Sequence, residues 1–461
     1  MEKSEKLNFS QLRYQCLAVI CVNMLSLSQG YSGGWVTPSL QILRSENSPL
    51  ESGPITLLET TLLGVLPCIG SLFGTILFSI ISKHLGTIAT MTLLAIPNMA
   101  FWIILIVSTS INVILIGQVM TGIAYGGICF CVPLFVAEIA DPRIRGFLGS
   151  ILNLSNTSGV LGAYICGAFL DYAHVPLVIL PIPVIYLLSM LILPETPSSL
   201  LRQNKIEAAK TSLQFYNNGN DSSKSGFDAD VEIQKLQSVL TERELTRQEG
   251  SWKLILHKES LKGLSTGLTL TAIVTFSAVH AFTTYASDLF TESNANFDVN
   301  VSVIIVGVLN LFGTAASAAL IDSLGRRKLF GLCCFMCSAA LAALGTFSYI
   351  NNQGFDVASF YWVPVTCVSF FIFSSAVGMR PLPFIYTAEI LPSNIRHIGT
   401  TVIMLAFTLF GVISYATLPY FLSAYPLQTV MWTYGGVCTF GLIFSVLFME
   451  ETKGKNLNDG S

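Results

Sequence analysis

Residues 397–449 read HIGTTVIMLAFTLFGVISYATLPYFLSAYPLQTVMWTYGGVCTFGLIFSVLFM and contain no Asp, Glu, Lys or Arg. A helix needs about 20 apolar residues to cross a bilayer, so this stretch predicts two membrane-spanning helices. Residues 84–137 form a second charge-free stretch of double length, and eight single ones complete the pattern, which predicts twelve spans. The single stretches are 14–43, 60–82, 146–170, 172–194, 263–287, 299–321, 329–355 and 357–379.

The composition fits a membrane protein, because 52% of the residues are hydrophobic and only 11% are charged, against about a quarter charged in soluble domains. The predicted fold class is an all-α polytopic membrane protein with twelve transmembrane helices in two pseudo-symmetric six-helix halves. The first stretch joins a continuing series of spans and is interpreted as a retained helix rather than a signal peptide. The predicted segments are an N-terminus at 1–13, bundles at 14–194 and 263–449, a helical linker at 195–262 and a C-terminus at 450–461.

The distribution of basic residues predicts the orientation of the chain. With an even number of spans both termini lie on one side, and that side carries 22 of the 24 Lys and Arg residues. Of the other two, Arg44 lies on the opposite side and Arg380 within a span. Since basic loops stay in the cytoplasm, both termini are expected there, in a multi-pass protein of the plasma membrane. The net charge of −3 gives no reason to expect nucleic acid as a partner.

Two parts of the sequence repeat. The segment Ala137-Glu138-Ile139 with Arg145 recurs as Ala388-Glu389-Ile390 with Arg396. Leu-Gly precedes the two copies, at 85–86 and 324–325, and Glu-Thr follows them in the same order, at 195–196 and 451–452. This order predicts a parallel repeat of six helices. Transporters built from two such halves bind their solute near the bilayer midplane.

Several inner-loop and helix motifs carry a family resemblance. They are Asp322–Arg327, Pro194–Pro197, Pro381–Pro383 with Glu389 and Arg396, Glu451–Lys455, and Pro133 with Glu138 and Arg145-Gly146. Together they resemble the sugar porter family of the major facilitator superfamily, from the first span to the last ten residues. Within that family the chain is most similar to the insect facilitated trehalose transporters.

The resemblance implies that the inner charges form a latch that ties helix ends together when the carrier faces outward. Their simpler interpretation is as orientation signals under the positive-inside rule. The first half lacks the family's acid and arginine pair at 83–88, and Gln118 replaces an arginine, so Glu138 and Glu195 are expected to lack their usual partners. We therefore expect the second half to bear most of the gating bias. The candidate gating residues are Glu138, Arg145, Glu195, Arg326, Arg327, Glu389, Arg396 and Glu451.

The resemblance also implies a polar central cavity, since a dry sugar site must supply amide and hydroxyl partners. The amides at Asn153 and Asn310 are retained, whereas the paired glutamines of the seventh span correspond to Val274 and Thr275. Loss of such donors, at about 1–3 kcal/mol each, puts ordinary glucose transport in doubt. Packing between helices is the competing interpretation of these polar side chains. The candidate binding residues are Asn153, Thr275, Ser277, His280, Asn310, Arg380 and Phe384.

Arg380 is the most informative of these residues, because an arginine well inside a bilayer is costly and marks a functional site by default. It precedes Glu389 by nine residues, about 13 Å along a helix. Arg380 could pair with an anionic solute, bind free carbonyls near Pro381 and Pro383, or contact an aromatic ring. The alternative is that Gly378 and the two prolines bend the helix and leave Arg380 in an aqueous inner vestibule. His280 is either a cavity residue or a hydrogen-bonded core residue.

The residues of the spans and the motifs of the chain predict whether transport is coupled to protons or driven by ATP. Proton-driven members of the family carry a carboxylate in the first span, where this chain has Ser32, which predicts a uniporter. No Gly-x-x-x-x-Gly-Lys-Ser/Thr loop for ATP is present in the sequence, no cofactor is expected, and no enzyme motif appears. The leading hypothesis is facilitative transport of trehalose or a hexose by alternating access. The alternatives are a carrier of an organic anion or other non-sugar solute, and a non-transporting sugar sensor.

Overall fold

The structure is a computed structural model that describes residues 9–141, 143–218, 230–238, 258–292, 298–355, 358–392 and 395–452. These ranges are almost entirely helical and contain no β-strand, so the all-α fold class is confirmed. The predicted N-terminus, linker and C-terminus lie partly outside the described residues, at 1–8, 219–229, 239–257 and 453–461.

The described helices follow the predicted order of spans and linker. In the first half they are α1 (Phe9–Arg44), α2 (Leu57–Leu85), α3 (Thr87–Val107), α4 (Ile111–Ile139), α5 (Arg145–Phe169), α6 (Val175–Ile179) and α7 (Pro181–Met190). In the linker they are α8 (Pro197–Arg202), α9 (Ile206–Asn218) and α10 (230–238). In the second half they are α11 (Lys258–Phe276), α12 (Val279–Thr284), α13 (Ala286–Glu292), α14 (Val299–Leu324), α15 (Arg326–Asn352), α16 (Val363–Ser374), α17 (Leu382–Ile390), α18 (Arg396–Ala424) and α19 (Leu427–Leu447).

Within the described ranges, nine helical segments are long and apolar enough to cross a membrane. The other three predicted spans are occupied by α1, α5 and the broken pair α6–α7. Both α1 and α5 are rich in Gly, Ser and Asn, which lowers their hydropathy and lets their backbones approach closely. At their crossing, a Cβ on Gly30 would collide with the backbone of Asn156 and Gly159. The twelve-span prediction is consistent with this arrangement.

Two spans of the second half are discontinuous. The seventh breaks at Ala278, which has a left-handed φ of 57° between α11 and α12. The tenth contains a π-helical segment, Ser375–Met379, between α16 and α17. Such π segments occur frequently at functional sites, and in transporters the interrupted helices line the solute path. The two breaks bring Thr283 and Arg380 together.

The halves meet at the end of the bundle away from the linker, which we call the far end; the opposite end is the linker end. Thr37 of α1 donates from Oγ1 to the carbonyl of Thr284 at 2.8 Å, and Ser287 donates from Oγ to the carbonyl of Thr37 at 2.8 Å. Arg44 forms an ion pair with Asp288 at 2.9 Å. We call these contacts the far-end clasp, and they close this end of the space between the halves.

Candidate substrate site and gates

Arg380 lies directly after the π-helical segment and before Pro381, with its side chain half-buried. Its amide donates to the carbonyl of Ser375 at 3.0 Å, five residues back, which sets the turn that presents the side chain. Its Nη1 donates to Asn310 Oδ1 of α14, and its Nη2 donates to Thr283 Oγ1 of α12, both at 3.0 Å. The guanidinium therefore joins three spans of the second half.

The guanidinium lacks a carboxylate partner in the described part of the chain. No ion pair among the described residues includes Arg380, and its buried Nε has no hydrogen-bond partner there. The titratable side chains around it include the phenols of Tyr415, Tyr164 and Tyr125, the thiol of Cys337 and the imidazole of His280. Arg380 is thus a cation held by neutral oxygens.

Aromatic rings line the same region. His280 of α12 packs edge-on against Phe407 of α18 with centroids 5.5 Å apart, and Phe384 of α17 meets Phe407 at 5.2 Å. His280, Phe384 and Phe407 are all partly exposed. Rings of this kind offer the apolar faces against which the C–H face of a sugar ring packs. The structure therefore brings four predicted site residues to one place, namely His280, Phe384, Asn310 and Arg380.

Asn153 lies on α5 with an exposed side chain. One turn later, Thr157 donates to the carbonyl of Asn153 at 2.8 Å, and its hydroxyl lies 3.4 Å from that of Thr314 in α14. This contact joins the two halves near the middle of both helices. Asn153 stands one helical turn from it, on the first half.

Two predicted binding residues are not brought to the Arg380 cluster. Thr275 and Ser277 are buried, and their hydroxyls donate to the backbone carbonyls of Thr271 and Val274 at 2.7 and 2.8 Å. Hydroxyls near a helix break often satisfy the backbone of their own turn. Thr275 and Ser277 stand at positions of the family motif, but their hydroxyls donate to carbonyls of their own helix.

Sequence reasoning missed Thr283, Tyr164 and Phe407 as site residues. The carbonyl of Thr283 accepts from the Tyr164 hydroxyl at 2.8 Å, while its side chain accepts from Arg380. Thr283 therefore connects the arginine to the contact between the halves. The signal was available, since Thr283 follows His280 by three residues and shares its helix face.

At the linker end, the second half carries a compact ion-pair cluster. Arg326 donates to Glu389 from Nη2 at 2.8 Å and from Nε at 3.1 Å, with only 14% and 22% of the two side chains exposed. The backbone amide of Arg326 donates to Glu451 Oε1 at 2.9 Å, and Thr452 Oγ1 donates to Glu389. These contacts hold the start of α15 against the ends of α17 and α19.

The first half has the same geometry with a hydroxyl in place of the arginine. Thr87 donates from Oγ1 to Glu138 at 3.1 Å, and the amides of Thr87 and Ile88 donate to Glu195 Oε1 at 2.7 and 3.1 Å. Arg202 of the linker lies 3.9 Å from Glu138. The two glutamates, which were expected to lack their usual partners, are thus bound by other groups. The amides at the start of α3 and the linker arginine replace the family's loop charges.

Two of the three remaining candidate gating arginines bind backbone oxygens. Arg145 donates to the carbonyl of Ala140 at 3.2 Å, and Arg327 donates to that of Val446. Arg396 is the first residue of α18, and its side chain lies outside the described residues. The arginines with described side chains thus stabilise helix ends within one half.

A network of neutral side chains surrounds Ser32, where the resemblance implies a carboxylate in proton-driven carriers. Thr121 of α4 donates to Ser32 of α1 at 2.8 Å, and Gln29 donates to Thr121 at 3.1 Å. Asn98 of α3 donates to Gln29 at 3.2 Å. Gln118, on the same helix as Thr121, is also buried. The network is held by amides and hydroxyls, and none of these five side chains is an acid.

Comparison with known proteins identifies the family. A family profile described as Sugar (and other) transporter matches residues 18–460. The facilitated trehalose transporter Tret1 of Bombyx mori is 28% identical over 96% of this chain and 86% of the relative. That of Apis mellifera ligustica is 28% identical over 98% and 88%. The inward open conformation of the xylose transporter XylE from E. coli superposes with a TM-score of 0.76 at 19% identity, covering 95% of this chain and 97% of XylE. The fold is that of the major facilitator superfamily, and the chain belongs to the sugar (and other) transporter family.

Proposed function

We propose that the protein is a facilitative uniporter that carries a sugar, trehalose or a hexose, by alternating access. The observation that supports this most directly is the Arg380 cluster, which places amide, hydroxyl and aromatic groups at two interrupted spans. Interrupted spans beside the contact between two halves are where such carriers bind their solute. The relatives named as facilitated trehalose transporters fit the same activity.

The orientation belongs to the proposal. The linker end carries nearly all the basic loop residues, so by the positive-inside rule it faces the cytoplasm, with both termini, in a plasma-membrane protein. The far-end clasp then closes the path to the outside. Tags on the two termini that are both inaccessible to external antibody in intact cells support this orientation; a terminus labelled from outside contradicts it.

The two halves, residues 14–194 and 263–449, would rock about the site. Thr87 with Glu138 and Glu195, and Arg326 with Glu389 and Glu451, stand at matching places, which supports the parallel repeat. Each set lies at the linker end of one half, with its second glutamate just beyond the last residue of that half. A bias between the two states would therefore come from contacts that these residues add when the linker end closes.

Uniport is supported by the neutral network at Ser32. A proton must be carried by a group that titrates, and Ser32, Gln29, Thr121 and Asn98 do not titrate near neutral pH. The charge-free first stretch, 14–43, supplies no acid in α1.

The test is uptake of radiolabelled trehalose and glucose by the purified protein in proteoliposomes. Saturable flux that is unchanged by an imposed proton gradient or an uncoupler supports a uniporter. If an inward proton gradient drives the flux, the protein is a transporter but not a uniporter. Absence of saturable flux with retained binding would favour a sugar sensor on the same scaffold.

A further inference from the structure

We infer that Arg380 anchors a carboxylate group of the solute, so that the preferred substrate is an acidic sugar of the hexuronate type. This inference rests on the proposed function and names its substrate class. It begins with the imbalance of charge: Arg380 is a permanent cation within a span. The spans that contribute residues around it come from the stretches 84–137, 146–170, 263–287, 299–321, 329–355 and 397–449, and these contain no Asp or Glu. A cation within a span that has no carboxylate partner is costly, and these spans contain no acid to offset its charge.

The hydrogen bonds of the guanidinium leave a binding edge. Of its five N–H groups, one bonds to Asn310 and one to Thr283, each at 3.0 Å, and the buried Nε bonds to no described residue. These two bonds fix the plane of the guanidinium. One N–H on each Nη remains without a described partner, and the donors of a guanidinium match the two oxygens of a carboxylate.

The charge count favours a monoanion over a dianion. The same stretches contain no Lys or Arg, and Arg380 is the one basic residue between 357 and 388. One arginine neutralises one negative charge. A carboxylate carries one charge near neutral pH, whereas a phosphate monoester carries close to two.

The surroundings fit a sugar ring beside the carboxylate. Phe384 and Phe407 offer aromatic faces, and His280 offers a ring nitrogen for a hydroxyl. The family's lost amide donors are accounted for as well. A solute that gains a charge-assisted bond to Arg380 needs fewer neutral hydrogen bonds, because such bonds are about twice as strong.

Carriage of a monoanion has a consequence that neutral sugars do not share. Each completed uniport cycle moves one negative charge across the membrane, so the flux depends on the membrane potential. A potential of about 60 mV, inside positive, should accumulate a monoanion about tenfold at equilibrium. A neutral sugar reaches equal concentrations on both sides.

The experiment uses the full-length protein in proteoliposomes with a potassium diffusion potential set by valinomycin, and the probes glucuronate, glucose 6-phosphate, glucose and trehalose. We expect saturable glucuronate uptake that an inside-positive potential accelerates and an inside-negative potential slows. Saturable uptake of neutral sugar without glucuronate uptake would overturn the inference and leave the proposed function intact. Preference for glucose 6-phosphate over glucuronate overturns the choice of a carboxylate. Absence of saturable flux for every probe overturns both proposals.

Variants test the anchor itself by calorimetric binding of glucuronate in detergent. We expect Arg380→Gln to weaken binding about 30-fold or more and Arg380→Lys to retain part of the affinity. Arg13→Gln is the matched control, since Arg13 is exposed near the start of α1 and contacts its neighbour Tyr14. Unchanged glucuronate affinity in Arg380→Gln would overturn the inference. Where Arg380→Gln fails to fold, the potential dependence of the wild type and the affinity of Arg380→Lys decide the question.

Discussion

Thr87 donates one hydrogen bond to Glu138 at 3.1 Å, whereas Arg326, at the matching place in the second half, donates to Glu389 from two nitrogens at 2.8 and 3.1 Å. The repeat has thus kept both glutamates and replaced one arginine by a hydroxyl. A charge-assisted bidentate contact is stronger than a single neutral donor. The linker ends of the two halves are therefore held with unequal strength.

This inequality predicts unequal effects of removing the two donors. Arg326→Gln leaves Glu389 without its cation in a place where both side chains are mostly buried, and should cost about 2–4 kcal/mol of stability. Thr87→Val removes one hydroxyl bond and should cost about 1 kcal/mol. Thermal unfolding in detergent measures both. A larger effect of Thr87→Val than of Arg326→Gln would contradict the prediction.

The same variants test which half sets the balance between states. Spin labels on Glu46→Cys and Val301→Cys, exposed residues near the far ends of α1 and α14, report by pulsed EPR whether the far end is open. We expect Arg326→Gln to shift the distance distribution toward the closed far end, because it weakens the linker-end contacts of the other state. Thr87→Val should change it less. An unaltered distribution in Arg326→Gln would refute a gating role for the second-half cluster.

Thr37 predicts a shift in the opposite direction. Its side chain is fully buried and donates across the halves to Thr284. Thr37→Val removes that donor at nearly constant volume, which costs the closed far end about 0.5–1.5 kcal/mol. The open population should rise about two- to tenfold, as read by the same spin labels. Thr37→Ser keeps the hydroxyl and is the control; equal distributions in the Val and Ser variants would count against the clasp.

We expect Asp288 to make the far end sensitive to pH. Burial raises the pKa of its carboxyl above the ordinary value of 3.8, Arg44 partly offsets this, and Glu292 adds to it. When the far end opens, Asp288 becomes hydrated and its pKa falls back toward the ordinary value. The closed state thus binds the proton more tightly, and acidification favours it, by at most about tenfold per pH unit.

The pH effect should appear as the pH falls through the raised pKa toward 3.8, and vanish at higher pH. Pulsed EPR of the labelled pair across this range measures it on frozen samples. Asp288→Asn should abolish the dependence. Arg44→Gln should move it to higher pH, because the offsetting charge is gone. Opening of the far end on acidification would show that the sign is wrong.

The sequence predicts the fold well because a bilayer imposes one requirement on every span. Long charge-free stretches are typical of membrane-spanning helices, so the twelve spans and the polar linker are predicted from the positions of the charged residues alone. Arg380 was found by the same rule, as a charge where the rule forbids one. Its partners Asn310 and Thr283 come from two other spans, and only one of them matched a family motif.

The hydrogen-bond partners of these side chains were harder to predict, because they depend on which other donors and acceptors lie nearby in the folded chain. Glu195 was expected to lack its usual partner, since the loop arginines are absent, but the sequence did not predict that the amides at the start of α3 would bind it instead. Every helix start offers such donors. Likewise, Thr275 and Ser277 occupy binding positions of the family, and each bonds to its own helix instead. A motif gives a residue's position, whereas its hydrogen bonds depend on neighbours in space.

Two glycines give the sharpest test of the repeat. Gly86 and Gly325 have φ of 98° and 84°, a region that other residues rarely adopt. A Cβ on Gly86 would lie 2.8 Å from the Glu195 carboxylate, and one on Gly325 would lie 2.6 Å from that of Glu451. Each turn therefore needs glycine for its backbone and for the approach of its glutamate.

Gly86→Ala and Gly325→Ala should each destabilise the protein by about 2 kcal/mol or more, from the backbone strain and the displaced glutamate. Thermal unfolding in detergent measures the loss, and Glu195→Gln or Glu451→Gln should recover little, since the clash is steric. Gly436→Ala is the matched control, because Gly436 lies within α19 and a Cβ there meets nothing within 4 Å. It should be neutral or stabilising, as alanine is the better helix former. If Gly86→Ala left the stability unchanged while Gly325→Ala lowered it, only the turn in the second half would require glycine for the approach of its glutamate.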